Sequence, residues 1–295
     1  MALLFTSLGQ QAHAQGCSDA GACTIGSFKP EALDSLQNTR HQFKVGGFYG
    51  TADNAILVYG SSLEYQYAFS EHWSADVKLT SLGQSGNAIS VFGLSDLYLN
   101  ATHQWDSSFA LTFGTKIPLA NGGQSLDGRP LPMDYQSSLG TFDLILGMRY
   151  SWKKLQMVLA IQQPLTDNSN AFLNTNYPEE SALYNFSSTN GFQRSSDLIF
   201  RLSYPFRWRN KWQFTPGILS IYHLRNDRFT DANGDEQEIE GSQGLTLNGN
   251  LYIDYALNAR QSLQLSIGAP FVVREVRPDG LTRGSIVNLE YRIAF

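Results

Sequence analysis

The chain predicts an all-β fold: a transmembrane up-and-down antiparallel β-barrel of about twelve strands behind a short N-terminal extension. Three observations predict it. Apolar residues alternate with polar ones at period two through segment after segment, as in strands with two unlike faces. The gaps between those segments alternate in kind. Ser70-Glu71-His72, Asp106-Ser107-Ser108, Lys153-Lys154, Arg207 to Lys211 and Asn258-Ala259-Arg260 are tight and polar. Gly83 to Gly93, Ala120 to Gly140, Thr166 to Ser195, Arg225 to Gly244 and Glu275 to Arg283 are mostly longer. Short turns on one side and long loops on the other are the habit of barrels in bacterial outer membranes. Finally, Trp73, Trp105, Trp152 and Trp212 all flank the tight turns and Trp208 lies in one, where an interfacial aromatic girdle belongs.

The bulk composition agrees. The 295 residues are 42% hydrophobic and 13% aromatic but only 16% charged, against about 25% charged in soluble domains. Mean hydropathy is nevertheless −0.24, and no run approaches the ~18 apolar residues of a spanning helix. A barrel reconciles these, because only half of each strand meets lipid. The net charge of −5 supplies no basic footprint for nucleic acid.

Residues 1–14 resemble a secretory leader. Leu3-Leu4-Phe5 is its apolar stretch and Ala12-His13-Ala14 its small-x-small cleavage site. No Lys or Arg precedes Lys29, so either the start lies further upstream or the leader is atypical; the mature chain is expected to begin near Gln15. Residues 15–40 form the extension. Within it Cys17 and Cys23 are expected to close a small disulfide loop in an oxidising periplasm. A lipid-anchored Cys17, a metal site and a redox pair are the alternatives. Pro30 suits a first helical turn, with Ala32, Leu33 and Leu36 on one face. The segment reads as a linker, or as a plug or periplasmic helix at the barrel mouth.

Strands then follow in order from residue 41 to 295. They are about His41 to Tyr49, Ala55 to Phe69, Trp73 to Leu82, Leu94 to Trp105, Phe109 to Leu119 and Thr141 to Trp152, then Leu155 to Leu165, Asp197 to Phe206, Lys211 to Leu224, Leu245 to Leu257, Ser262 to Val273 and Ser285 to Phe295. Their lengths suffice for tilted spans, and twelve is an even number, as single-chain bacterial barrels require. Within them Gly114, Pro118, Gly147, Pro164, Pro205, Gly217, Gly268 and Pro270 mark ends, bulges or routine curvature, or kinks that open a lateral window.

With the aromatic faces on lipid, the alternate positions line the lumen: Glu64, Asp76, Lys78, Asp96, Lys116, Asp143, Arg149, Arg201, Asp254, Glu290 and Arg292. A charge on the lipid face costs ~2–4 kcal/mol at mid-membrane for Arg or Lys, which sets this register. Such a lumen is either braced by ion pairs or a path for a small solute. Barrels of about eight strands are filled by side chains and those of about sixteen are aqueous; twelve lies between.

Two loops carry further signals. Asp231, Asn233 and Asp235, with Glu236, Glu238 and Glu240, cluster oxygen ligands. Glycine at the fourth loop position and Ser242 at the twelfth break the helix-loop-helix calcium pattern. The expectation is an acidic turn, with weak calcium binding or cation bridging to lipopolysaccharide as the alternative, and no other cofactor. The longest loop, Thr166 to Ser195, sets Phe172, Tyr177, Tyr184, Phe186 and Phe192 among Asn and Ser, so it caps the barrel, constricts it or meets a ligand. A catalytic role finds little support. Gly-x-Ser-x-Gly does not occur, and of five histidines only His223 lies near the loop side.

The last residues, Leu289-Glu290-Tyr291-Arg292-Ile293-Ala294-Phe295, alternate and end in an aromatic. They resemble the C-terminal signal of Gram-negative outer-membrane barrels, in which Tyr291 and Phe295 would be read by the barrel-assembly machinery. In length, extension and loops the chain resembles the barrels for uptake of hydrophobic compounds, the fatty-acid-transporter-like and phenol-degradation-pathway outer-membrane proteins. The resemblance implies a channel or transporter for small solutes, in contact with outer-membrane lipid and lipopolysaccharide. A structural or adhesive barrel acting through its loops is the alternative, and a lipid-modifying enzyme a further one.

Overall fold

The computed structural model describes residues 25–30, 39–280 and 284–295. The leader, Cys17, Cys23 and the Ala32/Leu33/Leu36 face lie outside the described residues.

Seventeen strands follow one another: β1 His41–Thr51, β2 Leu57–Ala68, β3 Trp73–Gly86, β4 Ile89–Gln104, β5 Phe109–Pro118, β6 Ser125–Leu126, β7 Arg129–Pro130, β8 Asp143–Trp152, β9 Leu155–Pro164, β10 Asp197–Ser203, β11 Phe206–Trp208, β12 Trp212–His223, β13 Asp227–Thr230, β14 Glu236–Ile239, β15 Gly244–Asn258, β16 Gln261–Val272 and β17 Ile286–Ala294. β6–β7 and β13–β14 are small hairpins within loops. The rest form one antiparallel sheet that closes on itself through β10–β12. β10 and β11 make a single stave, interrupted where Pro205 supplies no N–H for the ladder. The result is a closed barrel of twelve staves, β1 pairing with β17 from Gln42↔Ala294 to Gly50↔Ile286.

The period-two pattern decides the two faces. Leu63, Phe113, Leu146, Phe200 and Leu289 stand exposed on the outside, while Glu64, Lys116, Ile145, Arg201 and Glu290 are buried. In a closed ladder every wall N–H and C=O finds a partner, so the chain crosses the bilayer core without a spanning helix.

The expected long loop from Gly83 to Gly93 does not exist. β4 runs on past β5, beyond Asp96↔Pro118, while β3 stays paired with β2 as far as Leu57↔Ser85, and the two turn at Asn87-Ala88, both with positive φ (51° and 60°), the two-residue turn matched to strand twist. The sequence misleads here because Gly, Ser and Asn read as loop, yet long-range pairing holds them extended from Ser81↔Leu94 to Gly86↔Ile89. The eighth expected strand is likewise split at Tyr204-Pro205 rather than continuous.

Against this extended hairpin the two longest loops fold inward. Leu131 and Tyr135 of one, and Phe172, Tyr177, Leu183 and Phe186 of the other, pack on Ile56, Val58, Ile89 and Val91. Tyr135 donates to the Gly86 carbonyl at 2.9 Å, Gln84 to the Gln136 carbonyl at 2.7 Å and Tyr177 to that of Pro130. A second cluster, Met133, Leu139, Phe192 and Ile239, continues the cover. The barrel therefore has an apolar cap on its long-loop side.

Candidate solute path and its closure

Inside the wall sits a piece of chain that is not wall. Residues 25–30 occupy the lumen, with a single 3-10 turn at Gly26–Phe28. Ile25 and Phe28 are buried against Tyr98, Ile145, Val158, Ala160, Ile199, Leu219 and Ile221. Phe28 lies against Gly147, where a Cβ would come 2.3 Å from its Cζ. Lys29 Nζ reaches Glu290 Oε2 at 3.0 Å, and Arg201 donates to the Phe28 carbonyl.

The lumen thus has two unlike sectors. The inward side chains of β8–β12 near this segment are mainly apolar. Those of β1–β4 and β15–β17 are charged and paired. Lys44 meets Glu64 at 2.6 Å and Lys78 the same carboxylate at 3.9 Å. Asn100 donates to Asp76 at 2.6 Å. Arg292 bridges Glu290 at 2.6 Å and Asp254 at 3.3 Å, and Gln264 donates to Asp254 at 2.9 Å. Towards the cap Lys116 pairs with Asp143 at 2.9 Å, and Ser138 of the first long loop donates to Asp96 at 2.7 Å. Removing one partner of such a pair costs ~3–5 kcal/mol, because the other is left charged and dry.

Ten of the eleven residues read from the sequence as lumen-lining are buried in this way. The other, Arg149, is half-buried near the short turns, donating to Gln104 at 2.8 Å. Alternation alone did not reveal Ile25, Phe28 and Lys29, nor the apolar sector. A signal for the latter exists in unbroken apolar runs such as Leu144-Ile145-Leu146 and Val158-Leu159-Ala160-Ile161, which mark strands buried on both faces.

The cap is fastened to the barrel rim by six buried charges. His223, at the end of β12, gives Nδ1 to Asp197 and Nε2 to Asp227, each at 2.7 Å. Arg194 pairs with Asp197 at 2.5 Å and Asp279 at 3.4 Å; Arg274 pairs with Asp279 at 3.0 Å and Asp227 at 3.9 Å. Three loops converge there. Burial pushes the Asp279 carboxyl up, but Arg274 and Arg194 outweigh it and hold it at about 2. With carboxylates at both ring nitrogens, His223 has no lone pair to offer a serine. The sequence placed His223 near the loop side but gave no hint of its partners, Asp227 four residues on and Asp197 on a different strand.

Asp231, Asn233 and Asp235 sit at the exposed tip of the β13–β14 hairpin. Asp231 Oδ1 accepts from the Asn233 and Asp235 amides at 2.8 and 3.0 Å, and Oδ2 from Gln237 at 3.1 Å. These donors hold its carboxyl below the usual range, Asp235 most strongly. The turn thus spends Asp231's oxygens on closing itself. At the other end of the barrel Tyr291 pairs with Val45 and Leu263, and Phe295 is exposed and stacked on His41 at 5.4 Å.

A closed wall, apolar outside and ion-paired within, with short turns on one side, makes this a transmembrane β-barrel of the bacterial outer membrane, in contact with its lipid. No family model and no curated protein matches the chain. Solved structures do. It is similar to the CymD monoaromatic hydrocarbon channel (9% identity, 97% of this chain and 98% of that chain, TM-score 0.48). It is similar to the NanC porin (8%, 86% and 98%, 0.47). It is also similar to the translocator domain of autotransporter NalP from Neisseria meningitidis (10%, 89% and 91%, 0.43).

Proposed function

We propose that the protein is an occluded channel for small solutes. One observation carries this reading: part of the lumen is filled by residues 25–30, a segment outside the wall, beside wall side chains that pair with one another. Wall residues alone suffice to fill a barrel of about eight strands; here Ile25, Phe28 and Lys29 do part of that work. The burial of Phe172, Phe186 and Phe192 in the cap leaves little aromatic surface for an adhesive role of that loop. Lipopolysaccharide around the wall, and the barrel-assembly machinery reading Tyr291 and Phe295, are the partners that fit.

Planar-bilayer conductance tests it. The native chain is expected to be mostly silent. Phe28→Ala/Lys29→Ala is expected to conduct, either directly or once residues 171–192 are also removed, which locates the second barrier in the cap. Folded barrels of both variants without conductance would overturn the proposal.

A further inference from the structure

The lodged segment is chemically informative because its two ends answer two features of the wall. Phe28 fills a notch that exists only because Gly147 has no side chain and Ala160 a small one; a Cβ on Gly147 would lie 2.3 Å from Phe28 Cζ and 2.8 Å from Ala160 Cβ. Around the notch the wall is β-branched, with Ile145, Val158 and Ile199, so the cleared space is ring-sized and apolar. Across the lumen, Glu290 Oε1 belongs to Arg292, whereas Oε2 is bonded, among the described residues, only to Lys29.

The charges say the same. Around the segment Glu64, Asp76, Asp254 and Glu290 face Lys44, Lys78 and Arg292, while Arg201 holds the Phe28 carbonyl and Lys29 sits on Glu290. If the segment withdraws, Glu290 Oε2 loses the one ammonium bonded to it among the described residues. A buried charge without a partner is expensive. Whatever replaces the segment must therefore bring a cation to Glu290 as well as apolar surface to the notch.

We infer that this part of the lumen is a binding site for an extended amphipathic cation, an aromatic or branched apolar body joined to an ammonium group, with Phe28-Lys29 occupying it in the closed state. The ring and the ammonium of adjacent residues are separated by roughly ten bonds, which sets the length of the ligand. The inference rests on the reading of the lumen as a solute path and names the class of solute.

The test is calorimetry on the full chain in detergent with phenylnonylamine, phenylnonanol and phenyldecanoic acid, whose nine-carbon spacer matches that separation. They share one body and differ in the polar end. Phe28→Ala/Lys29→Ala is expected to bind the amine at least about tenfold more tightly than the alcohol, and the acid more weakly still. Phe28→Ala alone keeps the Lys29 ammonium on Glu290 and should show less than about twofold preference, with the same partitioning into micelles. Adding Glu290→Gln to the double variant should abolish the preference. Equal binding of alcohol and amine in the double variant overturns the inference, and so does a preference that survives in Phe28→Ala alone; neither arm needs an altered wall. Conductance without amine preference would defeat this inference and leave the channel standing. Amine binding without conductance would do the reverse.

Discussion

Gly147→Ala isolates the seat of the segment from the segment itself. The added Cβ would lie 2.3 Å from Phe28 Cζ, 2.5 Å from Cε1 and 2.8 Å from Ala160 Cβ. The ring cannot yield freely, because Ile145 and Val158 pack beside it. Overpacking of this kind costs ~1–3 kcal/mol, and the part involving Phe28 falls only on the seated state. At about 1.4 kcal/mol per decade, the unseated population should rise roughly 5- to 150-fold. Hydrogen exchange of residues 25–30 reads this directly, since the amides of Phe28 and Lys29 donate to Ile25 and Gly26 at 3.1 and 3.2 Å within the turn and exchange when the segment leaves. The clash needs both partners, so Gly147→Ala should add nothing in a Phe28→Ala background. Unchanged exchange in Gly147→Ala, or an equal increase with and without Phe28, would refute the reasoning.

Other consequences are independent of the lodged segment. Asp197→Asn leaves Arg194 and His223 sharing one fewer carboxylate, and should loosen the cap by ~3–5 kcal/mol; limited proteolysis within residues 165–196 should accelerate while the barrel stays folded, and an unaltered cleavage rate would count against the cluster as the fastening. Asp279 has a native value of about 2 against 3.8 when unfolded. Its depressed carboxyl therefore stabilises the cap fully above about 3.8, and that stability, roughly 2 kcal/mol, is lost as pH falls towards about 2. Cap proteolysis by an acid-active protease should rise only in that window, and Asp279→Asn should flatten the rise. Trp73, Trp105, Trp152 and Trp208 are exposed beside the short turns, so lipids brominated near the headgroup should quench their fluorescence more than lipids brominated at mid-bilayer; stronger quenching from mid-bilayer would move the girdle off the interface.

Much of the architecture is legible in local pattern. Period two assigns Glu64 and Leu63, or Arg292 and Tyr291, to opposite faces whatever the rest of the chain does, because the pleat alternates with each residue. The twelve staves and the tryptophan side follow from that and from turn length. Where the pattern failed, the cause was non-local. Ser85 and Ser90 look like loop residues until each is paired across a hairpin, and Pro205 breaks a stave only because its neighbours still close the ladder around it.

The sequence by itself determined that this chain crosses a bilayer as strands, which face meets lipid and which side bears the loops. These depend on residue type and neighbours along the chain. Only the tertiary structure decided what fills the barrel and what covers it. Phe28 finds Gly147, Lys29 finds Glu290, and His223 finds Asp197 across loops and staves. Such pairings are chosen by closure of the sheet in three dimensions, through the shape and charge of surfaces that do not exist until the wall has formed.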